Sequence, residues 1–545
     1  MSKAERLFNF RYLVIAAVLL TWLPLSARAS EMQEFKGNAS GTYRDIFDQN
    51  IFYEGTKYLN FDRLFRAIRR QPVRAKDINV FDEVPDNAYF TNRHARKKLS
   101  AQALEKGYSE TEGPDTKGPL TVLKAKFFDS LASLLVRDSR GDEYVLKFDP
   151  YSHLALATSS EVIASRFYYA IGYNVPQYSI VKIRTDQLVI GPNALLFDDS
   201  GFQKKLTQEK LQERFLFLPV DTEGNFRASA GKILPGTYLG TFQFKGRGKH
   251  NPGDSLKAEE RRSIRALQVF ASWLNDYRMS RISTLAVAFE SNGKREMKYY
   301  LTDFEDTLGA VLDREKAPMF THEYLFDYGE TIKSFVSLGG YVKPWQKRWK
   351  EADEKSASPA VGYFDNRYFD PGRFKTQLPH DAFKDLTPAD AFWAAKTVMS
   401  FSDDEIAAMV KAGRLSRRED EDHLTKTLAE RRDLIGRYWF ERACPLDDFK
   451  FSGTLLSFTN LAVQAGFQDQ GAGYQVDIDQ MDGKKRQPVA SFTIRENSID
   501  LGRWLGHSQN LWVGISPASD EKNQKQPHVF IQLGSSGILS IEHED

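Results

Sequence analysis

The chain has 545 residues, of which 41% are hydrophobic and 13% aromatic, enough apolar material for two or three domains with substantial cores. Its 75 lysines and arginines nearly balance its 73 aspartates and glutamates, and the formal charge is only +2. This balance argues against a dedicated nucleic-acid-binding protein, which needs a basic excess. The single cysteine, Cys444, excludes an intramolecular disulfide and a cysteine-based metal cage.

Residues 1–29 have the three regions of a secretory signal peptide. A basic start is followed by the apolar run YLVIAAVLLTWLPL and by Ala27 and Ala29 at the spacing of a cleavage site. The apolar run is shorter than the roughly 20 residues that a spanning helix needs. We therefore expect cleavage after Ala29, a periplasmic or secreted mature protein, and no membrane span after cleavage.

The rest of the chain changes character along its length, and these changes predict four segments. They are an N-terminal extension at 30–118, a strand-rich segment at 119–184, an insert followed by mainly helices at 185–449, and a β-rich domain at 450–545.

In the strand-rich segment, LTVLKAKFFDSLASLLVRDSRGDEYVLKFDP predicts three strands, because short apolar runs are separated by turn residues. SSEVIASRFYYAIGY then has the three- and four-residue apolar spacing of a helix. A fourth strand, YSIVKI, follows Pro176. The segment therefore predicts a small sheet with one helix.

After an insert that ends near residue 253, SLKAEERRSIRALQVFASWLNDY predicts one long amphipathic helix. STLAVAF and MKYYLTDF predict a hairpin whose second strand ends at Asp303.

Two more helices are predicted from their capping residues, and the segment LTKTLAERRDLIGRYWFERA predicts a third. Thr387 with Asp390 opens the first, Ser402 with Glu405 opens the second, and Gly413 is expected to close the second. Beyond residue 450, short alternating runs separated by glycine, aspartate and asparagine predict a small all-β, sandwich-like domain.

Three of these elements carry polar residues in the order that phosphoryl transfer by a kinase fold requires. Lys147 lies on a strand, Glu161 on the next helix, and Asp303 at the end of a late strand. We predict that Lys147 and Glu161 bind the cofactor and that Asp303, with Asp306 as a second candidate, binds the metal. The cofactors would be ATP and Mg²⁺.

Each residue alone also has a purely structural explanation. Lys147 is a strand lysine of a common kind, Glu161 favours the start of its helix electrostatically, and Asp303 suits a turn. The prediction depends on their combined order rather than on any one of them.

Several segments together resemble a largely uncharacterised family of exported bacterial proteins, over residues 75 to 450. The central region of that family is similar to the lipid-kinase-like and HipA-like branch of the kinase fold. The resemblance implies an α+β fold with a two-lobed kinase-like core, whose N-lobe is at 119–184 and whose helical C-lobe follows the insert. The matching segments are INVFDEVPDNAYFTNRH, YVLKFDP, EVIASRFYYAIGYNVP, RRSIRALQVFASWLND, YYLTDFEDTLG and DAFWAAKTVMSF.

The chain departs from that family in the segment that resembles a catalytic loop. Arg278 stands where the family has an aspartate, Ser283 where it has an asparagine, and Ala286 where it has a further acid. Arginine stays protonated and cannot act as a general base, and serine is a poorer ligand for a hard cation than an amide or carboxylate oxygen. Asp276, two residues before Arg278, either replaces the missing catalytic aspartate or is simply an acid at the end of a helix.

Two glycine patterns also bear on phosphate binding. No glycine lies between Gly118 and Gly141, where a phosphate-binding hairpin would need one. The basic stretch at 246–254, with Arg247 and Lys249, suggests either an anion site at a helix N-terminus or a flexible surface loop.

Three functions therefore remain open. The chain is expected to be a catalytically degenerate kinase-fold protein that binds or scaffolds an unknown envelope partner. Alternatively, it is an active atypical ATP-dependent phosphotransferase, or an envelope structural protein whose domain at 450–545 binds a partner.

Overall fold

The computed structural model describes residues 73–544. The gaps are at 129–130, 198–202, 249–250, 252, 292, 312–313, 316–319, 326, 339, 344–355, 470–472, 483–484, 506–509, 519–525 and 536. The predicted signal peptide, residues 30–72 of the N-terminal extension and Lys249 lie outside the described residues. Within the described part of the chain, no helix is both long and apolar enough to cross a bilayer.

The fold is mixed α and β, and its largest element is a seven-stranded sheet with the strand order β4-β7-β3-β2-β1-β5-β6. Neighbouring strands are antiparallel except for β1 and β5, which are parallel. The strands are β1 (Leu120–Phe128), β2 (Leu131–Arg137), β3 (Glu143–Phe148), β4 (Tyr178–Ile183), β5 (Leu188–Phe197), β6 (Gln203–Lys205) and β7 (Phe226–Lys232).

The four strands expected from the sequence between 119 and 184 are confirmed as β1 to β4. The other three strands come from the segment that the sequence suggests is an insert. The sheet therefore extends across the expected boundary at 184, and β7 lies between β3 and β4 in its order.

The two faces of this sheet are covered by different helices. On one face, Leu146 of β3 packs into a core with Leu211 and Phe215 of the helix Gln208–Phe215, labelled α3. On the other face, Val145 packs with the helix Leu156–Ile171, labelled α2. Side chains alternate along a strand, so Lys147 extends toward α2.

Helix α2 is buried on nearly all of its surface because the sheet lies on one side and further helices lie on the other. Its first turn is capped from outside by Asp149, whose carboxylate accepts the backbone N–H groups of Ala155, Ala157 and Thr158. These bonds satisfy donors that have no partner within the helix. They fix where the helix begins relative to β3.

The remaining helices that precede the C-terminal domain, except the one at Tyr328–Val336, contribute side chains to the core on the α2 side of the sheet. A short helix at Ala101–Lys106 precedes the sheet and is labelled α1. The others, in chain order, are α4 (Arg262–Arg265), α5 (Leu267–Leu274), α6 (Tyr328–Val336), α7 (Asp381–Lys384), α8 (Pro388–Met399), α9 (Asp403–Lys411) and α10 (Arg418–Phe440).

The prediction of one long helix from residue 255 is wrong, because the segment does not form a single helix. It is divided into a 3₁₀ turn at Ala258–Glu260, then α4, then α5. Helix α4 begins at Arg262 because Asp77, from the N-terminal extension, accepts the backbone N–H groups of Arg262 and Ser263. Helix α5 ends because Asn275 adopts a left-handed conformation with φ of 55°.

The capping residues predicted for α8 and α9 are confirmed, and both form reciprocal capping boxes. Gly413 does not close α9 in the expected way, since the left-handed residue is Arg414 at φ 47°. Glycine is needed at 413 for a different reason. A Cβ there would lie 2.6 Å from Cδ1 of Ile163 on α2, so the absence of a side chain lets the two helices approach.

The predicted hairpin is confirmed as β9 (Thr284–Ser291) and β10 (Lys294–Leu301). Strand β9 also pairs with β8 (Thr237–Gly240), so the sheet has the order β10-β9-β8. Strand β10 ends at Leu301, two residues before Asp303. A two-stranded ladder of β11 (Ala310–Val311) and β12 (Arg314–Glu315) follows.

The C-terminal part consists of two antiparallel sheets around one core, as the sequence predicts for an all-β domain. One sheet has the order β13-β14-β17 and the other the order β16-β15-β18-β19-β20. The strands are β13 (Leu446–Ser452), β14 (Leu455–Asn460), β15 (Tyr474–Asp482), β16 (Lys485–Ile494), β17 (Ser498–Asp500), β18 (Asn510–Pro517), β19 (Val529–Gly534) and β20 (Gly537–His543). Two short helices, α11 (Leu461–Gln464) and α12 (Gly502–Leu505), lie between them in sequence.

A buried polar network joins this β domain to the rest of the chain. Nδ1 of His543, in the last strand, lies 2.9 Å from Oδ2 of Asp82 in the N-terminal extension. Asp82 also pairs with Arg262 at 3.0 Å, and Arg262 pairs with Asp390 of α8 at 2.8 Å. Four separate parts of the sequence therefore meet in one polar network.

Candidate functional site

Lys147 lies in a row of polar residues that crosses the large sheet on the α2 side. It is in register with Ser133 on β2 and with Ser229 on β7. Only 14% of its side chain is exposed. A half-buried ammonium group needs acceptors or negative charges nearby.

Carboxylates from two other parts of the chain surround this ammonium group. Lys147 Nζ lies 2.8 Å from Oε1 of Glu161 on α2 and 3.1 Å from Oδ1 of Asp303 after β10. It also donates to Oε2 of Glu305. The three residues predicted to form the site, Lys147, Glu161 and Asp303, are therefore in direct contact.

Glu161 is almost fully buried, and its second oxygen accepts a hydrogen bond from the Ser229 hydroxyl. Burial is the largest influence on this group and raises the pKa of Glu161. The Lys147 ammonium opposes that rise, and the Glu305 carboxylate adds to it. Glu161 is thus held in place at both oxygens.

The turn after β10 places Asp303 through its backbone conformation. Asp303 has φ of 57°, a left-handed value that aspartate tolerates better than most residues. Its backbone N–H donates to the Tyr178 hydroxyl at 3.3 Å. The next residue, Phe304, stacks on Tyr168 of α2 with ring centroids 5.2 Å apart. The turn is therefore anchored to both the sheet and the helix.

The far end of the same turn is also fixed. Thr307 donates through its hydroxyl to the carbonyl of Phe304 at 2.8 Å. The backbone N–H of Leu308 donates to the carbonyl of Leu274, the last residue of α5, at 2.8 Å. These contacts give Asp303 and Glu305 a rigid support.

Glu161, Asp303 and Glu305 each offer a carboxylate oxygen, and these oxygens lie within 4.8 Å of one another. Carboxylate oxygens are the ligands that Mg²⁺ takes from proteins, usually one or two beside phosphate oxygens and waters. The donor set of this group therefore fits a magnesium ion, with Asp303 and Glu305 as the half-buried ligands.

The other two predicted site residues make different contacts. Asp276 accepts a hydrogen bond from the Tyr168 hydroxyl at 2.8 Å, and both residues are buried. Asp306 pairs with Arg278, whose Nη1 lies 2.6 Å from Oδ2 of Asp306. Neither carboxylate belongs to the group around Lys147.

Sequence reasoning missed Glu305. Glu305 lies two residues after Asp303 in the same motif, whereas the sequence predicts Asp306 as the second metal ligand. Asp303 has a left-handed backbone and lies beyond the end of β10. The alternation of a regular strand therefore does not indicate which of the two later acids faces Lys147.

The residues at the positions that depart from the family have structural contacts. The carbonyl of Ser283 accepts the backbone N–H of Thr302, which places Ser283 beside the start of the Asp303 turn. Ala286 is buried in β9.

In the basic stretch at 246–254, Arg247 forms an isolated antiparallel bridge with Lys257.

Comparison with known proteins gives little beyond these contacts. No known family model matches the chain, and no curated protein matches it. Among solved structures, the Helicobacter pylori proinflammatory kinase CtkA is similar over 57% of this chain and 94% of its own, at 10% sequence identity and a TM-score of 0.28. A TM-score this low does not establish a common fold.

Proposed function

We propose that the chain is an exported kinase-like protein that binds ATP with Mg²⁺ but has lost efficient phosphoryl transfer, and that it acts as a binding or scaffold module. One observation carries the proposal: the Lys147 ammonium contacts both Glu161 on α2 and Asp303 after β10. Kinase-type sites require this combination of strand lysine, helix glutamate and strand-end aspartate.

Each residue has a distinct part in binding. The ammonium of Lys147 is a point charge suited to a phosphate oxygen, and Glu161 keeps it oriented through an ion pair. Asp303 and Glu305 would hold the magnesium ion. When bound, the ion would neutralise charge on the phosphates.

The contacts of Arg278 and Asp276 support the loss of phosphoryl transfer. Arg278 stands where the resembled family has an aspartate, and its charge is taken up by Asp306. Asp276 is buried and holds the Tyr168 hydroxyl. Neither residue is arranged to accept a proton from an incoming hydroxyl group, which a kinase base must do.

Export is part of the proposal and is supported by the signal-peptide pattern of residues 1–29. A protein outside the cytoplasm would meet little ATP, which disfavours repeated turnover. The partner is proposed to be an envelope protein of unknown identity.

Titration calorimetry with ATP and Mg²⁺ tests the binding claim. We expect saturable binding to the full chain, weakened at least about tenfold in both Lys147→Arg and Asp303→Asn. The larger planar guanidinium cannot keep the position of the lysine point charge, and Asp303→Asn removes a charge that would hold the metal ion. Lys147→Arg keeps a positive charge among the carboxylates, so it protects the fold. Lys232→Met, on the opposite face of the sheet and paired with Asp142, should bind as the wild type does.

Absence of ATP binding to the wild-type chain would contradict the proposal. Labelled-phosphate transfer from ATP provides the second readout, and we expect none above background. Transfer that is lost in Asp303→Asn would instead establish an active phosphotransferase.

A further inference from the structure

The Lys147 ammonium contacts all three carboxylates of the candidate metal site. Its Nζ lies 2.8 Å from Oε1 of Glu161 and 3.1 Å from Oδ1 of Asp303, and it also donates to Oε2 of Glu305. These are the same three residues whose carboxylate oxygens lie close enough together to hold a metal ion. An ammonium group has three N–H donors, which matches the three acceptors. The chain itself therefore supplies a cation to this group of carboxylates.

This built-in cation and a divalent metal ion need the same oxygens. An ion that bound Asp303 and Glu305 would share its ligands with the Lys147 ammonium. Two cations on the same oxygens repel each other, and the repulsion is strong where the surroundings are half-buried. The metal ion is therefore bound weakly unless Lys147 gives up its contacts with these two carboxylates.

The three carboxylates differ in how firmly they are held. The Glu161 side chain is only 1% exposed, and its second oxygen accepts a hydrogen bond from the Ser229 hydroxyl. The side chains of Asp303 and Glu305 are 14% and 16% exposed and belong to the turn after β10. Glu161 is therefore the lasting partner of Lys147, and the other two are the carboxylates that a metal ion would take from it.

The same contacts oppose a phosphate group that approaches without a metal ion. A phosphate oxygen that binds Lys147 needs N–H groups that are donated to Asp303 and Glu305, and it meets their negative charges. Binding of these two carboxylates to a metal ion would remove both obstacles. Each ligand therefore makes room for the other.

We infer that Lys147 is an internal counter-ion, which competes with the divalent metal ion for Asp303 and Glu305 and releases them when its ammonium binds a phosphate group. The chain therefore binds a divalent ion and a phosphate-bearing ligand together, and each of them only weakly alone. This inference rests on the proposed function and specifies how its two ligands depend on each other. The dependence is reciprocal, as it must be for any two coupled ligands.

Titration calorimetry of the full chain with Mn²⁺ alone tests the competition, since Mn²⁺ takes the same oxygen ligands as Mg²⁺. Lys147→Met keeps the length of the side chain and removes the charge. We expect it to bind Mn²⁺ at least about tenfold more tightly than the wild type does. Adding Asp303→Asn to Lys147→Met should abolish this gain, because the ion then loses a ligand.

Two further proteins complete this experiment. Lys147→Met/Glu161→Gln replaces both members of the buried ion pair by neutral groups, and it serves if Lys147→Met alone fails to fold. Lys232→Met removes a positive charge from the opposite face of the same sheet. This control should bind Mn²⁺ as the wild type does.

Calorimetry with ATP in EDTA tests the other half of the inference. Without a metal ion, Asp303→Asn should bind ATP at least about threefold more tightly than the wild type does, because one competing negative charge is gone. With Mg²⁺, the same variant is expected to bind ATP more weakly. A variant with a merely damaged site would lose affinity under both conditions.

The possible results separate the two proposals. If the wild type binds ATP with Mg²⁺ but Lys147→Met gains no affinity for Mn²⁺, the competition is wrong and the proposed function stands. The inference is also wrong if the gain survives Asp303→Asn, or if Asp303→Asn does not bind metal-free ATP more tightly than the wild type does. If the wild type does not bind ATP with Mg²⁺, both proposals fall.

Discussion

Arg278 and Asp306 form a buried ion pair, with Nη1 of the arginine 2.6 Å from Oδ2 of the aspartate. Arg278 stands at the position where the resembled family has an aspartate. Asp306 lies three residues after Asp303 and was a candidate metal ligand. The two side chains neutralise each other. The arginine therefore explains why Asp306 pairs with Arg278 and does not belong to the carboxylate group around Lys147.

Breaking this pair from either side should destabilise the fold. We expect Arg278→Ala and Asp306→Ala each to lower the free energy of unfolding by about 3–5 kcal/mol, because each leaves a buried charge without its partner. Replacing both residues by apolar ones should cost less than the sum. Urea unfolding of the four proteins measures the coupling.

Lys182→Ala is the control, since this lysine is 62% exposed and its ion pair with Asp221 is screened by solvent, so the change should affect stability little. If Asp306→Ala had little effect on stability but weakened Mg²⁺ binding, Asp306 would be a metal ligand and the prediction would be wrong.

We expect Asp276 to have a structural role, as the hydrogen-bond acceptor of the Tyr168 hydroxyl, rather than a catalytic one. Asp276→Asn and Tyr168→Phe should each cost about 1–3 kcal/mol of stability, because both disturb one buried hydrogen bond. Neither should change ATP affinity. Tyr173→Phe, which removes another buried hydroxyl, bonded to the Ser263 carbonyl, is the matched control. A phosphate-transfer activity lost only in Asp276→Asn would instead identify a catalytic base.

His380 and Asp381 should give opposite pH dependences. Burial lowers the pKa of His380 to about 4 and raises the pKa of Asp381 to about 7. The folded state therefore binds fewer protons at His380 between pH 4 and 6.5, and stability from this residue is lost as pH falls. At Asp381 the folded state binds more protons between pH 3.8 and 7, and stability is lost as pH rises.

Unfolding measured from pH 4 to pH 7 in His380→Gln and Asp381→Asn tests both signs. Relative to wild type, the histidine variant should gain up to roughly 3 kcal/mol as pH falls, and the aspartate variant should gain as pH rises. Parallel curves for the three proteins would show that neither group has a shifted pKa.

Gly309 should tolerate no side chain. A Cβ at this position would lie 2.1 Å from the carbonyl oxygen of Val361 and 2.8 Å from the backbone nitrogen of Tyr363. Gly309→Ala should therefore cost about 3 kcal/mol or more, because the backbone itself must move. Gly329→Ala, near the start of α6, meets only a side-chain oxygen at 3.4 Å and should change stability by less than about 1 kcal/mol. Equal melting temperatures for these two variants would contradict the prediction.

Local signals in the sequence were sufficient for much of the fold. The strands β1 to β4, helix α2 and the capping boxes of α8 and α9 follow from residues that are close together in the chain. The same holds for the strands of the C-terminal domain, where alternation and turn residues repeat. The contact between Lys147 and Glu161 also follows from a short strand-to-helix connection.

Distant contacts account for what the sequence did not reveal. The start of α4 depends on Asp77, which is 185 residues away from Arg262 in sequence. The place of β7 between β3 and β4 depends on pairings that no local pattern specifies. The choice of Glu305 over Asp306 depends on the left-handed backbone at Asp303. The roles in ATP and Mg²⁺ binding and the export of the chain stay predictions.

The bonds between His543 and Asp82 have a practical consequence for work on shortened forms. Cutting the chain at residue 450 would divide β13 and leave Asp82 without the imidazole that it contacts. If such a fragment failed to capture a partner, the failure could result from unfolding of the fragment as well as from loss of the binding surface. Pull-down baits should therefore retain both ends, and any affinity tag after residue 545 needs a spacer long enough to clear the neighbouring extension.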